Sequence, residues 1–512
     1  MALVAFALLF GVMLVCARYV QQKDNAAYWS VSSQGGSGSL AGTLIAPVQG
    51  LAAPAQAAAT RTPGGPLFTP TPDAPHALPP LRSEVEQYTV QANDTLGTIA
   101  QKYGISLGQL IQANTLANPD LVEVGQTLTI PVPTPEGPGP DFKIIPDSEL
   151  VYGPASASFD LPGFVQAQGG YLAQYSEEIN GEVLNGAQVV LRVAQDYSVN
   201  PRLLLALLEY QSGWVTHSQP PPGTSNFPMG LRDQAHKGLY RQLTWTANNL
   251  NLGFYLWRVG GASTWVLADG SVIPIAPTLN AGTAGVQNLF ASLYDRPNWE
   301  KAVSPDGLFA TYNALFGYPF DLAVEPLIPP GLQQPKMQLP FEKGQVWSFT
   351  GGPHGGWDSG SAWAALDFAP PGDALGCVQS DAWVVAAADG VILRTGIGEV
   401  IEDLDGDGLE QTGWVIFYMH IESRDRVKPG TAVKAGDRIG HPSCEGGVSS
   451  GTHTHIARKY NGEWIPADQN LPFVLDGWVS HGEGYQYEGY LQKGSKTIEA
   501  YAGRAQDNGI SR

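Results

Sequence analysis

With 512 residues the chain is too long for one hydrophobic core, and domains of about 100–200 residues predict about three of them. Its content of 43% hydrophobic and 10% aromatic residues supports packed cores and excludes wholesale disorder. Against 28 basic residues stand 47 acidic ones, so the net charge of −19 leaves no basic surplus to neutralise phosphates and argues against nucleic acid as a partner.

The first 17 residues, MALVAFALLFGVMLVCA, are uncharged and strongly apolar. Residues 1–23 are therefore expected to be a secretory signal or a membrane anchor, and either one places the protein outside the cytoplasm, secreted or held at the cell envelope. Arg18 and Lys23 follow the apolar run instead of preceding it, so its orientation stays open. Cys16 follows the bulky Val15 and not the small residue of a lipidation site, which favours an ordinary apolar-packed cysteine. Residues 24–83, rich in Ala, Gly, Ser and Pro, cannot bury a core and are expected to form a tether.

Residues 84–133 follow a βααβ pattern. Tyr88 and Val90 alternate as a strand, Thr95 to Lys102 and Leu107 to Gln112 carry helical spacing, and Leu128 to Ile130 close with a second strand. Through YTV, IAQKYG, LGQLIQAN and VGQTLTIP this block resembles a LysM module. The resemblance implies binding to glycans that contain N-acetylglucosamine, such as peptidoglycan. A Pro-rich linker, 134–144, ends the block.

Residues 145–325 predict a helical domain. Val189, Val190, Val193 and Ala194, then Leu203 to Leu208, fit two amphipathic helices, with Asn200-Pro201 opening the second. The stretch PRLLLALLEYQSGW resembles the lysozyme-like fold of lytic transglycosylases and glucosaminidases, in which such a helix ends in a catalytic Glu followed by Ser and Gly. Gln211 occupies that position here, and an amide cannot protonate a glycosidic oxygen. Glu209, two residues earlier, points from another part of the helix. The domain is thus expected to be non-catalytic, with glycan cleavage through Glu209 as the alternative.

A second Pro-rich linker, 326–340, leads into a domain at 341–490, and 491–512 are expected to be a C-terminal tail. Short β-rich runs divided by Gly, Pro and Asp turns predict an antiparallel sheet, with a hairpin at Asp389-Gly390. The whole chain is therefore multidomain α+β. Five residues with ligand chemistry fall in this last domain: His354 in TGGPHGG, Asp367 in the apolar strand AALDF, His420 after VIFYM, and His453 and His455 in GTHTH. On a strand the last two leave one face, about 6.8 Å apart along the chain. A carboxylate such as Asp367 in an apolar strand is costly unless a metal or partner meets it. Cys377 and Cys444 fall in the same domain of an exported chain, which favours a disulfide.

Through TGGPH, LDF, VVAAADG, YMH, VKAGDRIG and SSGTHTH, residues 345–470 resemble the lysostaphin-type zinc endopeptidases, and among them the β-lytic metallopeptidase and staphylolysin branch. The interval of 13 from His354 to Asp367, with its Gly-rich insert, fits that branch. The resemblance implies Zn2+ bound by His354, Asp367 and His455, with His420 and His453 as catalytic residues whose roles stay unapportioned. It also implies hydrolysis of peptide bonds in peptidoglycan stems or cross-bridges. The alternative from another class is a non-enzymatic envelope protein that activates a partner hydrolase. Finally, EDLDGDGLEQTG supplies Asp403, Asp405 and Asp407 as half of a Ca2+ loop. Trp414 stands where the bidentate Glu belongs, with Glu410 as its substitute; a solvated acidic hairpin is the alternative.

Overall fold

The computed structural model describes residues 72–512 except 79, 92–93, 117–121, 135–136, 138, 373 and 506, so the apolar leader and most of the tether lie outside the described residues. Among the described residues no helix is long and apolar enough to cross a membrane. The LysM-like block folds as β1 (Glu86–Thr89), α1 (Leu96–Lys102), α2 (Leu107–Asn114) and β2 (Thr127–Ile130), with β1 and β2 antiparallel. Ser106 caps α2 through a reciprocal capping box with Gln109. Tyr88, Ile99, Ile105, Leu110, Leu128 and Ile130 form its separate core.

The middle block is helical as expected: α3 (Leu161–Gln168), α4 (Gly186–Tyr197), α5 (Pro201–Ser212), α6 (Leu239–Arg258), α7 (Ala281–Ala291), α8 (Arg296–Ala302) and α9 (Leu308–Phe316). Two hairpins interrupt them, β3 (Ser176–Ile179) with β4 (Glu182–Asn185), and β5 (Thr264–Val266) with β6 (Val272–Pro274). Asn200 caps α5, accepting the Arg202 amide, with Pro201 in its first turn. Helix α6 packs against α4 and α7 at the centre of the block.

The last block is built on a nine-stranded antiparallel sheet. Its strands are β7 (Val346–His354), β8 (Ala365–Ala369), β10 (Gly390–Thr395), β11 (Val400–Asp403), β12 (Trp414–Met419), β13 (Ala432–Val433), β15 (Thr454–Tyr460), β16 (Glu463–Trp464) and β21 (Gly509–Ser511). The order is β13-β10-β11-β12-β15-β8-β7-β21, with β16 pairing β15. The short strands β9 (Val384–Val385) and β14 (Arg438–Gly440) pair separately, so the Asp389-Gly390 turn joins two sheets and the expected hairpin does not form. Asp389 instead accepts the Ala435 amide and Lys434 Nζ.

The expected tail, 491–512, is a correction. A four-stranded sheet of β17 (Val474–Leu475), β18 (Trp478–Gly482), β19 (Gly489–Lys493) and β20 (Lys496–Glu499) runs across the expected boundary, and β21 pairs with β7 as an edge of the main sheet. Burial of Leu491, Ile498 and Ile510 explains it. The 326–340 segment also packs: Met337 and Leu339 are buried in the same core.

The sheet is apolar on both faces. Ile416, Tyr418, Leu366, Phe368 and Ile456 face the core shared with β17–β20. Val415, Phe417, Met419, Ala457 and Trp464 face the other way, into the core of the helical block.

Candidate metal centre

Three neighbouring strands deliver the three expected ligands. His455 on β15 pairs directly with Asp367 on β8, which pairs with Gly351 on β7. Cross-strand partners of this kind share a face at about 5 Å. Along β7 the register shifts between Gly351 and His354, and this bulge brings His354 to the same place. Gly351 is required there, because a Cβ would stand 2.7 Å from Asp367 Oδ2.

The donor atoms converge. His354 Nε2 lies 3.0 Å from His455 Nδ1, and Asp367 Oδ1 lies 3.3 Å from each. Four-coordinate zinc with ligands at about 2.0–2.1 Å requires donor separations of about 3.3 Å. Asp367 Oδ1 is buried and accepts no hydrogen bond, although imidazole nitrogens surround it. An orphaned carboxylate oxygen facing two ring nitrogens fits a cation.

Backbone carbonyls fix the rings. His354 Nδ1 donates to Gly352 O at 2.8 Å and His455 Nε2 to Gly356 O at 3.1 Å, which leaves a lone pair on the other nitrogen of each ring directed at the site. The flanking pair follows the same rule. His420 Nδ1 donates to Glu445 O at 3.0 Å and His453 Nδ1 to Gly451 O at 2.7 Å. Their rings lie 4.4 Å apart, with His453 Nε2 at 3.6 Å from Asp367 Oδ1.

His420 sits at φ 65°, a left-handed conformation that costs a residue with a Cβ roughly 1–2 kcal/mol. Ser443 holds it there, donating its amide and hydroxyl to His420 O at 2.7 and 3.0 Å. The Cys377–Cys444 disulfide, with Cα atoms 5.7 Å apart, ties the loop of Ser443 to the one that carries Gly376, whose carbonyl accepts the Thr452 amide beside His453.

The electrostatics separate the roles. Burial alone would raise the Asp367 pKa, but His354 and His453 hold it well below the usual carboxylate range. Burial, then His453 and His455, pushes His420 down to about 3, so it is a neutral acceptor at physiological pH. Burial also lowers His455.

Elsewhere the expected residues divide. Asp403, Asp405 and Asp407 do cluster, but Asp403 accepts the loop's own Asp405, Gly406 and Gly408 amides. Glu410 leaves them: buried, it pairs with Arg394 at 2.8 Å and Lys459 at 2.5 Å, so it does not complete a calcium loop. In the helical block Gln211 accepts the Tyr294 hydroxyl at 2.7 Å. Glu209 accepts the Val215 and Thr216 amides at 3.0 Å and the Thr216 hydroxyl at 2.5 Å, which makes it a cap for the turn after α5. Sequence reasoning missed Tyr487, whose ring stacks on His354 at 4.2 Å from a turn beyond the resembling segment.

Comparison with known proteins agrees with this architecture. Residues 88–131 match the LysM domain family, and residues 143–329 match the family described as LasA, N-terminal domain. Protease LasA of Pseudomonas aeruginosa is 26% identical over 345 residues, which span 62% of this chain and 74% of that protein. The chain is thus similar to protease LasA and carries, in addition, a segment that matches the LysM domain family. The helical block is thus similar to a LasA domain. The secreted LysM effector ECP6 of Passalora fulva is 37% identical over 94 residues, or 18% of this chain and 36% of that protein. Among solved structures, the M23 metalloprotease pseudoalterin from the deep sea is 24% identical, with a TM-score of 0.29, covering 35% of this chain and 99% of that one. The catalytic domain of lysostaphin from Staphylococcus simulans is 25% identical, with a TM-score of 0.17, covering 25% and 89%.

Proposed function

We propose that the chain is an extracytoplasmic zinc endopeptidase that hydrolyses peptide bonds in peptidoglycan and is held on its glycan by the LysM module. The observation that carries this reading is the convergence of His354 Nε2, Asp367 Oδ1 and His455 Nδ1 around an otherwise unpartnered carboxylate oxygen. These three residues would hold the metal, which supplies polarisation of the scissile carbonyl and a readily ionised water. His420 is kept neutral, with Nε2 free, and suits proton abstraction from the attacking water. His453 is the more accessible of the pair. It suits stabilisation of the developing oxyanion and proton delivery to the leaving amine.

Two other functions are disfavoured by particular contacts. Glycan cleavage through Glu209 needs a carboxyl free to give a proton, but both Glu209 oxygens are engaged in its cap. A purely binding role leaves the convergent donors without a purpose. Mass spectrometry of wall digests decides among the three: new amino termini without new reducing ends are expected. Zinc-loaded protein that releases no amino groups from any wall preparation would sink the proposal.

A further inference from the structure

Both flanking histidines hang on the Cys377–Cys444 bond. Cys444 is bracketed by two residues that hold His420: Ser443 donates its amide and hydroxyl to His420 O, at 2.7 and 3.0 Å, and Glu445 O accepts from His420 Nδ1 at 3.0 Å. The Ser443 carbonyl also accepts the His453 amide at 3.3 Å. Cys377 is bracketed in the same way by residues that hold the chain neighbour of His453. Gly376 O accepts the Thr452 amide at 3.0 Å, and Val378 O accepts the Thr452 hydroxyl. Between the two arms, Ser449 Oγ lies 3.4 Å from Cys444 Sγ and 3.3 Å from His453 Nδ1.

The three expected metal ligands are held from elsewhere. His354 Nδ1 and His455 Nε2 give their protons to Gly352 O, on β7, and Gly356 O, in the loop after it, and Asp367 stands on β8 inside the sheet. None of these partners belongs to either arm of the disulfide. The bond itself is open to solvent, because Cys377 is exposed and Cys444 half-buried. Residues 374–377 are all exposed, so little packing holds that arm once the bond opens.

We propose that the Cys377–Cys444 bond is a redox-controlled positioning element: closed, it aligns His420 and His453 for turnover; reduced, it releases that pair and leaves the metal ligands in place. The proposal rests on the reading of His420 and His453 as the catalytic pair. Opening the bond takes two electrons and two protons from a dithiol, which becomes a disulfide while each cysteine becomes a thiol. Exposed disulfides are the labile ones, and the cytoplasm keeps thiols reduced. The pair is therefore assembled only where oxidants prevail, and the chain does not cut peptide bonds before export.

The test is reduction of the full, zinc-loaded chain by a water-soluble phosphine, which takes an oxygen from water to become its oxide and leaves two thiols. Release of amino groups from purified peptidoglycan is expected to fall about 100-fold, the scale of an ångström-sized misplacement. Zinc affinity, read by competition with a chromophoric chelator, is expected to stay within about twofold, because the outer partners of His354 and His455 are untouched. Hydrogen exchange is expected to quicken at the Ser443, Thr452 and His453 amides and to stay slow on β8. Reoxidation is expected to restore both activity and protection. The double variant Cys377→Ser, Cys444→Ser is expected to match the reduced protein, and reduction of the folded wild type decides the matter if that variant does not fold. Full activity after both thiols have appeared, a bond that the phosphine does not open, or zinc loss and fast exchange on β8 in step with the activity would overturn the proposal. An oxidised, zinc-loaded chain that releases no amino groups would instead overturn the reading of the catalytic pair, and amide exchange then still shows whether the bond holds the two loops.

Discussion

At the scale of residues, each of the four site histidines gives one ring proton to a backbone carbonyl and turns the other nitrogen inward. The two neighbours His453 and His455 therefore divide. His455 Nδ1 stands 3.3 Å from Asp367 Oδ1 and 3.0 Å from His354 Nε2, whereas His453 sits beside His420 at the open side. His455→Ala is expected to lose both zinc and turnover. His453→Ala is expected to retain zinc within a few-fold and lose activity by at least about 100-fold, the usual scale for a positioned acid or base. Metal analysis beside a digestion assay checks both variants, and equal zinc loss in the two would contradict the division. The sequence placed five residues of ligand chemistry in one β-rich domain, and only the resemblance to lysostaphin-type peptidases divided them into three expected ligands and two flanking histidines. Their tautomers were not legible there, since the groups that set them are main-chain carbonyls with no side-chain signature.

At the scale of elements, β11 and β12 carry a buried charge problem. Glu402 on β11 is fully buried, accepts the Tyr418 hydroxyl at 2.6 Å, and has its pKa pushed up to about 8 by burial. Its ordinary value is 4.5, so between these two pH values the folded chain holds a proton that the unfolded chain has released. The contribution is full below pH 4.5 and is lost as pH rises toward 8, by about 5 kcal/mol at most. Glu402→Gln keeps an acceptor for Tyr418 and cannot ionise. Its urea midpoint, compared with wild type at pH 5 and pH 8, is expected to gain at the higher pH; an unchanged difference between the two pH values would refute this. The ordinary helices and strands were legible from periodicity, as Val189, Val190, Val193 and Ala194 on α4 illustrate. The Asp389-Gly390 hairpin was misread because a turn-forming dipeptide specifies a turn and not the pairing partner of the strand after it. Residues 491–512 were misread because strands of four or five residues with one or two buried side chains give little periodic signal.

At the scale of the whole molecule, the helical block and the sheet share one core, and ion pairs cross between them. Arg394 on the sheet pairs with Glu399 and Glu410 and reaches Asp196 on α4 at 3.9 Å, while Arg192 on α4 reaches Glu399 at 3.7 Å. Arg258 on α6 meets Glu463 on β16 at 2.7 Å. The LysM-like block, by contrast, has a core of its own. Removal of residues 84–133 is therefore expected to leave hydrolysis of soluble peptides unchanged and to slow digestion of insoluble wall by about 100-fold, the scale of lost effective concentration. Parallel assays on the two substrates check this, and equal loss on both would mean that the block supports the fold instead.

The sequence alone determined the βααβ block, the helical character of residues 145–325 and the β-rich character of the last domain, and it favoured the bonded cysteines and placed in that domain the five residues that the structure brings together. It could do so because spacing and residue chemistry are local properties of the chain. Only the tertiary structure decided that the sheet's second face is buried against helices, that Glu410 answers Arg394 and Lys459 and not the Asp403 loop, and that Asn248 meets the loop behind His455. Periodicity states that a face is buried, and a carboxylate states that it needs a partner; neither states which distant segment will supply it.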